Sequence, residues 1–207
     1  MQAVNALFFI VIMIMSVVIH EISHGFVAEY FGDKTARNAG RLTLNPVSHL
    51  DLFGSIILPA LLYFSTGFVF GWARPVPYNP DNLRNRRWGT LAVAAAGVLA
   101  NFFIAALFGL LIRFSYLFQV PDGFYFITSS IVEINLALMV FNLVPIPPLD
   151  GSKILFSLLP RSAWPILANL ERYSLVFLII FIVFFVNYLY PVLGFLYHLV
   201  TGIALPA

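Results

Sequence analysis

The chain has 207 residues, of which 61% are hydrophobic and only 10% are charged, and its formal net charge is +2. This much apolar surface cannot be buried inside a soluble domain of this length, so the composition excludes a soluble protein and predicts an integral membrane protein. The absence of cysteine excludes disulfides and thiolate metal ligands, and the absence of a basic stripe excludes nucleic acid as a partner. Long apolar runs without strand-like alternation favour an all-α, polytopic helical bundle.

Five to six apolar segments are predicted to form this bundle. They cover residues 3-31, 52-72, 88-118, 124-144, 173-190 and 191-205 of a single domain, 1-207. The first segment is long enough to cross the roughly 30 Å hydrocarbon layer. No Lys or Arg precedes Lys34, so we interpret it as a retained helix and not as a signal peptide. The short alternation of apolar and polar residues at 40-45 predicts a β-like hairpin.

The segment 52-72 is interrupted by Gly54, Pro59 and Gly67, and it either crosses the membrane or folds back as a re-entrant piece. If it folds back, ten of the eleven Lys and Arg share one face and only Arg113 lies opposite. These ten are Lys34, Arg37, Arg41, Arg74, Arg84, Arg86, Arg87, Lys153, Arg161 and Arg172. The positive-inside rule makes that face cytoplasmic and favours the re-entrant alternative.

Residues 20-24 read His-Glu-Ile-Ser-His near the end of the first apolar segment. Positions i and i+4 share one helix face, so His20 and His24 can bind one Zn²⁺ while Glu21 reaches its water. Three ionisable groups within an apolar run are costly unless a metal compensates them, which makes a chance match a weak alternative. Glu21 is predicted to be the catalytic base that moves a proton from water to the leaving amine. The motif therefore predicts metal-assisted peptide hydrolysis at a membrane.

A catalytic zinc site needs a third protein ligand. The metzincin pattern is excluded because Val27 and Tyr30 stand where it requires Gly and His. The remaining candidates are His49, Asp51, Asp122, Glu133, Asp150 and His198. Asp150 is favoured as a ligand over a helix N-cap, because the proline cluster before it ends the regular helix and lets the backbone turn a carboxylate inward. Whether His49 approaches the site depends on how 52-72 folds, and an interfacial position is favoured for it.

Two motifs carry a resemblance to a known family. The stretch HEISHGFVAEYFGD at 20-33 and the stretch FNLVPIPPLDG at 141-151 resemble the HExxH helix and the NxxPxxPxDG motif of the site-2 protease family of intramembrane zinc metalloproteases. The resemblance covers most of the chain and is to the small prokaryotic form without a PDZ or CBS domain. It implies that Asp150 is the third Zn²⁺ ligand, beside His20 and His24.

The resemblance also implies a role for two polar helix residues, Asn101 and Asn142. In the family these residues are associated with substrate positioning or oxyanion stabilisation, and the alternative is an ordinary interhelical hydrogen bond. Two departures from the family pattern affect the local backbone only. Val98 and Leu52 stand where proline is usual.

The function implied is intramembrane proteolysis by a multi-pass zinc endopeptidase of the cell (cytoplasmic) membrane, with the active site toward the cytoplasmic side. Its partners would be membrane lipid and a single-span membrane-protein substrate, and the residues indicate no oligomeric state. One alternative is a zinc-binding membrane transporter, which would not need Glu21. Another is a pseudoprotease that binds transmembrane helices, which would gain nothing from a complete hydrolytic site.

Overall fold

The structure is a computed structural model that describes residues 2–57, 73–117, 119–121 and 123–205. Its α-helices are α1 (Gln2–Tyr30), α2 (Thr35–Asn38), α3 (Arg86–Arg113), α4 (Phe124–Asn142), α5 (Asp150–Leu158), α6 (Trp164–Arg172), α7 (Ser174–Phe184) and α8 (Leu189–Thr201). Short 3-10 helices lie at Pro46–His49, Pro80–Asn82, Ser115–Leu117, Arg161–Ala163 and Val186–Tyr188, and a π-helix lies at Leu52–Ile57. The part of the chain that the structure describes contains no strand, in agreement with an all-α fold.

Three helices are long and apolar enough to cross a membrane, namely Leu7–Tyr30 within α1, α3 and α4. A fourth span is possible if Ser174–Phe184 and Val186–Thr201, which are bent by 61° at their junction, act as one. The prediction of a bundle of five to six apolar segments is therefore not supported by the described residues, which hold three to four candidate spans. The cause is the bend, because α7 has 11 residues and α8 has 13, each too short to cross alone.

The predicted hairpin at 40-45 is also wrong. Arg41 donates its backbone N–H to Ala36 O at 2.9 Å, which continues the turn that ends α2. Asn45 donates its backbone N–H to Thr43 Oγ1 at 3.2 Å, and its own side chain accepts from Val47 N at 3.1 Å. These local side-chain bonds compete with a strand ladder and start the 3-10 helix at Pro46–His49 instead.

The residues on either side of 52-72 meet at one end of the bundle. Arg74 donates its backbone N–H to His49 O at 2.9 Å, and Arg84 donates its backbone N–H to Phe31 O at 2.8 Å. Both flanks therefore lie at the end where α1 finishes, as the re-entrant alternative requires. Residues 58–72, which hold most of that predicted segment, lie outside the described residues.

Helix α3 is the centre of the bundle, since it packs against α1, α4, α5 and α8. Small residues along its buried side let the neighbouring backbones approach closely. They are Gly89, Ala94, Ala96, Gly97, Ala105 and Gly109. At the far end of the bundle Ala105 joins a core with Val132, Leu136 and Tyr197. Because α3 packs against both α1 and α5, it positions these two helices relative to each other.

Helix α5 is fixed at both of its ends. At its N-terminus a Cβ on Gly151 would collide with the backbone carbonyl of Leu143, so close approach of two backbones requires glycine there. A positive φ is not involved. At its C-terminus Arg87 donates from Nε to Ser157 O at 2.7 Å and from Nη2 to Leu158 O at 2.8 Å. A guanidinium satisfies carbonyls that a helix end leaves unpaired, so Arg87 anchors α5 to the start of α3.

Candidate metal centre

Helix α1 brings His20, Glu21 and His24 together near its C-terminal end. The two imidazoles are buried, with ring centroids 4.6 Å apart and planes at 87°. Each of the three residues offers one ligand atom, and these atoms lie within 4.8 Å of one another. The i, i+4 spacing thus places both histidines on one face, with the half-buried Glu21 beside them.

Asp150 begins α5 and turns its carboxylate toward the histidines. Its Oδ2 lies 3.1 Å from His20 Nε2 and 3.2 Å from His24 Nε2. Ligand atoms about 2.0–2.1 Å from a tetrahedral zinc are separated by about 3.3 Å, so this spacing fits three ligands of one ion. Oδ2 is buried and has no hydrogen-bond partner among the described residues. His24 and Asp150 are 126 residues apart in the sequence, and their side chains meet at this site.

The other ring nitrogen of each histidine has a fixed partner. His24 Nδ1 lies 2.7 Å from Val93 O, and His20 Nδ1 lies 2.6 Å from Asn101 Oδ1. Because a backbone carbonyl can only accept, His24 Nδ1 carries the proton and its Nε2 carries a lone pair. The lone pair of the neutral His24 imidazole and the Asp150 carboxylate oxygen face each other at 3.2 Å and repel unless a cation lies between them. The donor set therefore fits a divalent metal ion.

Helix α3 contacts the site through three residues spaced one turn apart. Val93 and Asn101 hold the histidines, and Gly97 lies between them. A Cβ on Gly97 would lie 2.6 Å from His20 Cε1 and 2.6 Å from His24 Nε2, so only glycine leaves room for both rings. Sequence analysis did not single out Gly97. The sequence did hold a signal, because positions 93, 97 and 101 on α3 have the same four-residue spacing as His20 and His24 on α1.

A cleft opens beside these residues. Its described lining comprises His20, Glu21, His24, Pro75, Val76, Tyr78, Val93, Ala94, Asn142, Pro148, Asp150 and Lys153. One side of it is formed by the segment 74–79, in which Val76 donates its backbone N–H to Glu21 Oε2 at 2.8 Å. Arg41 holds the same segment by donating from Nη2 to Arg74 O at 2.7 Å. The segment thus fixes one carboxylate oxygen of Glu21.

Asp33 anchors the far end of that segment. Its carboxylate accepts from Asn79 N at 2.7 Å, from Asn82 Nδ2 at 2.9 Å and from Thr35 Oγ1 at 2.5 Å. Burial alone would raise the pKa of the Asp33 carboxyl, but the hydrogen bonds from Thr35, Asn82 and Asn79 together hold that pKa below its usual value. Sequence analysis did not single out Asp33, because no local pattern indicates that it accepts a hydrogen bond from Asn79, 46 residues away.

The two asparagines occupy different positions. Asn142 is half-buried, lines the cleft, and donates from Nδ2 to Leu138 O at 2.9 Å. Asn101 is fully buried behind His20 and is not among the described residues that line the cleft. A group that stabilises an oxyanion must face the substrate. Asn142 faces the cleft and Asn101 does not.

Another ligand candidate, His49, is bonded away from this site. It is buried in the loop after α2, where its Nε2 donates to Thr43 O at 2.8 Å. It is not among the described residues that line the cleft. Asp122 lies outside the described residues.

Comparison with known proteins covers the residues that hold both motifs. The profile described as Peptidase family M50 matches residues 8–134 and 119–186. The chain is 37% identical over 195 residues to "Putative zinc metalloprotease YwhC" of Bacillus subtilis (strain 168), which covers 90% of this chain and 86% of that protein.

Two mycobacterial proteins are similar over shorter shares of their length. Identity to "Putative zinc metalloprotease Rip2" of Mycolicibacterium smegmatis is 31% over 140 residues, or 67% of this chain and 52% of that protein. Identity to the protein of the same name in Mycobacterium tuberculosis (strain H37Rv) is 31% over 168 residues, or 81% of this chain and 63% of that protein. No solved structure is significantly similar to the chain. With its profile match, the two motifs and the helical bundle, the chain belongs to peptidase family M50, the site-2 protease family, and is a multi-pass membrane zinc metalloprotease.

Proposed function

We propose that this protein is an intramembrane endopeptidase that cuts the spanning segment of a single-span membrane protein. The observation that carries the proposal is the meeting of Asp150 Oδ2 with the Nε2 atoms of His20 and His24, at 3.1 and 3.2 Å, beside Glu21 and inside an open cleft. His20, Glu21 and His24 lie toward the end of a helix that is long enough to cross a bilayer. A hydrolytic site at that depth is suited to a substrate that is itself in the membrane.

His20, His24 and Asp150 would hold the zinc ion. Zinc, when bound in such a site, polarises water and the scissile carbonyl. Glu21 would accept the proton of the attacking water and deliver it to the leaving amine. Val76 donates its backbone N–H to Glu21 Oε2. This hydrogen bond would keep the carboxylate in place and leave its other oxygen for the proton.

Asn142 would contact the substrate. Its side chain lies in the cleft at the C-terminal end of α4, and its amide is held by Leu138 O. An amide donor in a site of low dielectric stabilises charge that develops on a carbonyl oxygen. The segment 74–79 and the piece 52-72 are the elements proposed to admit the substrate or to pair with it once its helix has unwound.

Water would reach the site from the loop end of the bundle. Tyr78 and Lys153 line both the metal cleft and a second cavity beside α5 and α6, and Lys153 Nζ lies 5.6 Å from the Tyr78 ring centroid. Basic residues cluster at this end, since Arg74 and Arg84 bond to the loops that follow α1. The positive-inside rule supports a cytoplasmic orientation for it in the cell membrane.

The test is cleavage of a panel of single-span substrates by purified protein in detergent, with zinc measured on every sample. Glu21→Gln should retain zinc and lose cleavage, because the amide cannot take the proton. Glu29→Gln is the matched control, since Glu29 lies on the same helix but pairs with Arg37 at the surface, and it should cut as wild type does. Cleavage by Glu21→Gln at the wild-type rate would refute the proposal.

A further inference from the structure

A buried chain of amides lies behind His20 and plays no part in the mechanism described so far. Asn101 on α3 and Asn135 on α4 are both fully buried at the depth of α1 residue Ser16. Asn101 Nδ2 donates to Asn135 Oδ1 at 2.8 Å, and Asn135 Nδ2 donates to Ser16 Oγ at 2.9 Å. Polar groups inside a membrane protein are costly unless they are paired, so two asparagines here require an explanation.

The direction of every hydrogen bond in this chain follows from one backbone carbonyl. Asn135 Nδ2 also donates to Ile131 O at 2.8 Å. A carbonyl only accepts, so the NH₂ group of Asn135 must face Ile131 and its oxygen must face Asn101. That oxygen needs a donor, which places the NH₂ group of Asn101 toward Asn135 and the Asn101 oxygen toward His20. His20 Nδ1, 2.6 Å away, must then be the donor.

A proton on Nδ1 leaves the lone pair of His20 on Nε2, the atom that faces Asp150. His24 reaches the same tautomer through a single backbone carbonyl, Val93 O. Both histidines are therefore held as the Nδ1–H tautomer, but by different hydrogen-bond partners. One is set by main chain within α3, and the other is set by side chains that link three helices.

We propose that Asn101, Asn135 and Ser16 form a relay that fixes His20 as the Nδ1–H tautomer and thereby sets zinc affinity. Asn101 is a positioning residue in this proposal, and it acts through His20 without touching substrate. The proposal rests on the proposed function, because it takes His20 as a zinc ligand. Partners that orient a ligating histidine typically contribute about 10- to 100-fold in metal affinity.

The first test is zinc affinity of the purified full-length chain, by competition with a chelating dye. Asn101→Ala should bind zinc about 10- to 100-fold more weakly. Asn101→Asp keeps an acceptor oxygen for His20 but leaves the Asn135 oxygen without its donor, so it should recover part of the loss. Asn135→Leu should weaken binding less than Asn101→Ala, since Asn101 remains but is free to rotate. Ser130→Ala is the control, because this buried hydroxyl on α4 donates to Phe126 O of its own helix and to no other described residue.

The second test reads the tautomer itself, in metal-free protein carrying ¹⁵N-labelled histidine, with the His20 signals assigned by their loss in His20→Ala. Wild type and Asn101→Asp should show His20 protonated at Nδ1, and Asn101→Ala should show a mixture. Wild-type zinc affinity together with an unchanged tautomer in Asn101→Ala would overturn the relay. So would a loss of affinity in Asn101→Ala with an unchanged tautomer, because that pattern indicates a purely structural role.

Failure of the proposed function looks different. If His20→Ala binds zinc as tightly as wild type, His20 is not a ligand and the proposed metal site is wrong. The tautomer measurement still decides whether the relay orients the ring, because it is made without metal.

Discussion

The two walls of the metal cleft differ in how their polar groups are satisfied. The rear wall is the α3 side of the site, with Val93 at the cleft and with Gly97 and Asn101 behind the imidazole rings, where carbonyl and amide groups are buried and paired with the histidines. The front wall is the segment 74–79 together with Asn142, where Val76 N–H reaches Glu21 and the cleft remains open. A closed wall suits groups that hold an ion, and an open wall suits groups that meet water and substrate. Changes in the rear wall should therefore alter metal binding, and changes in the front wall should alter turnover with metal retained.

In the rear wall, a large loss of zinc affinity is expected from Gly97→Ala. The new methyl group would lie 2.6 Å from both imidazoles and must displace them. An overpacking cost of about 1–3 kcal/mol corresponds to a loss of about 5- to 150-fold in zinc affinity, and cleavage should fall with it. Zinc titration measures the loss. Gly194→Ala on α8 is the control, since nothing lies within 4 Å of that position, and equal affinity in both variants would contradict the rear-wall assignment.

The next effect belongs to the front wall. Asn142→Leu removes the amide that faces the cleft, and loss of an oxyanion donor costs about 10²- to 10³-fold in kcat. Zinc content and KM should change little. A variant that loses its zinc instead would show that Asn142 supports the metal and not the substrate.

A smaller effect on the same wall is expected from Val76→Pro. Proline removes the N–H that holds Glu21 Oε2 but tolerates an extended backbone. Removing a hydrogen bond to a carboxylate costs about 1.5–3 kcal/mol, so turnover should fall by about 12- to 160-fold. Val76→Ala keeps the N–H and should retain wild-type turnover. If both variants behave alike, the side chain matters and the backbone bond does not.

The smallest effect concerns the anchor of the front wall, Asp33. Its folded-state pKa lies below the usual 3.8, so its contribution to stability is complete above that pH and is lost as the pH falls through the folded pKa. Thermal unfolding at pH 5 and pH 3 should show an acid-dependent loss in wild type that is reduced in Asp33→Asn. Asp81→Asn, a change at a largely exposed carboxylate, should keep the wild-type pH dependence.

The same contrast explains what sequence could predict. His20 and His24 are linked by helix geometry, and a proline cluster marks Asp150 as a carboxylate that follows a broken helix. Local pattern therefore singled out the three residues that the structure brings together. Gly97 and Val76 were not singled out, because Gly97 acts through the side chain that it lacks and Val76 acts through its backbone N–H, and both meet the site only after folding.

The errors in the fold have equally local causes. Hydropathy counts apolar residues and does not register the 61° bend after Phe184, so 173-190 and 191-205 were predicted as separate segments. Alternation over four residues predicted a hairpin near 40-45, but the side chains of Thr43 and Asn45 bond their own backbone instead. Short patterns are weak where polar side chains offer the backbone another partner.

The most direct test of the central claim is the zinc content of Asp150→Ala and Glu21→Gln, purified side by side with wild type and assayed for cleavage. Both variants should fail to cut. Asp150→Ala should have lost its zinc, because one of three facing donor atoms is gone, whereas Glu21→Gln should hold one zinc per chain. Stoichiometric zinc of unchanged affinity in Asp150→Ala would contradict the account, since the carboxylate that faces both histidines would then not be a ligand.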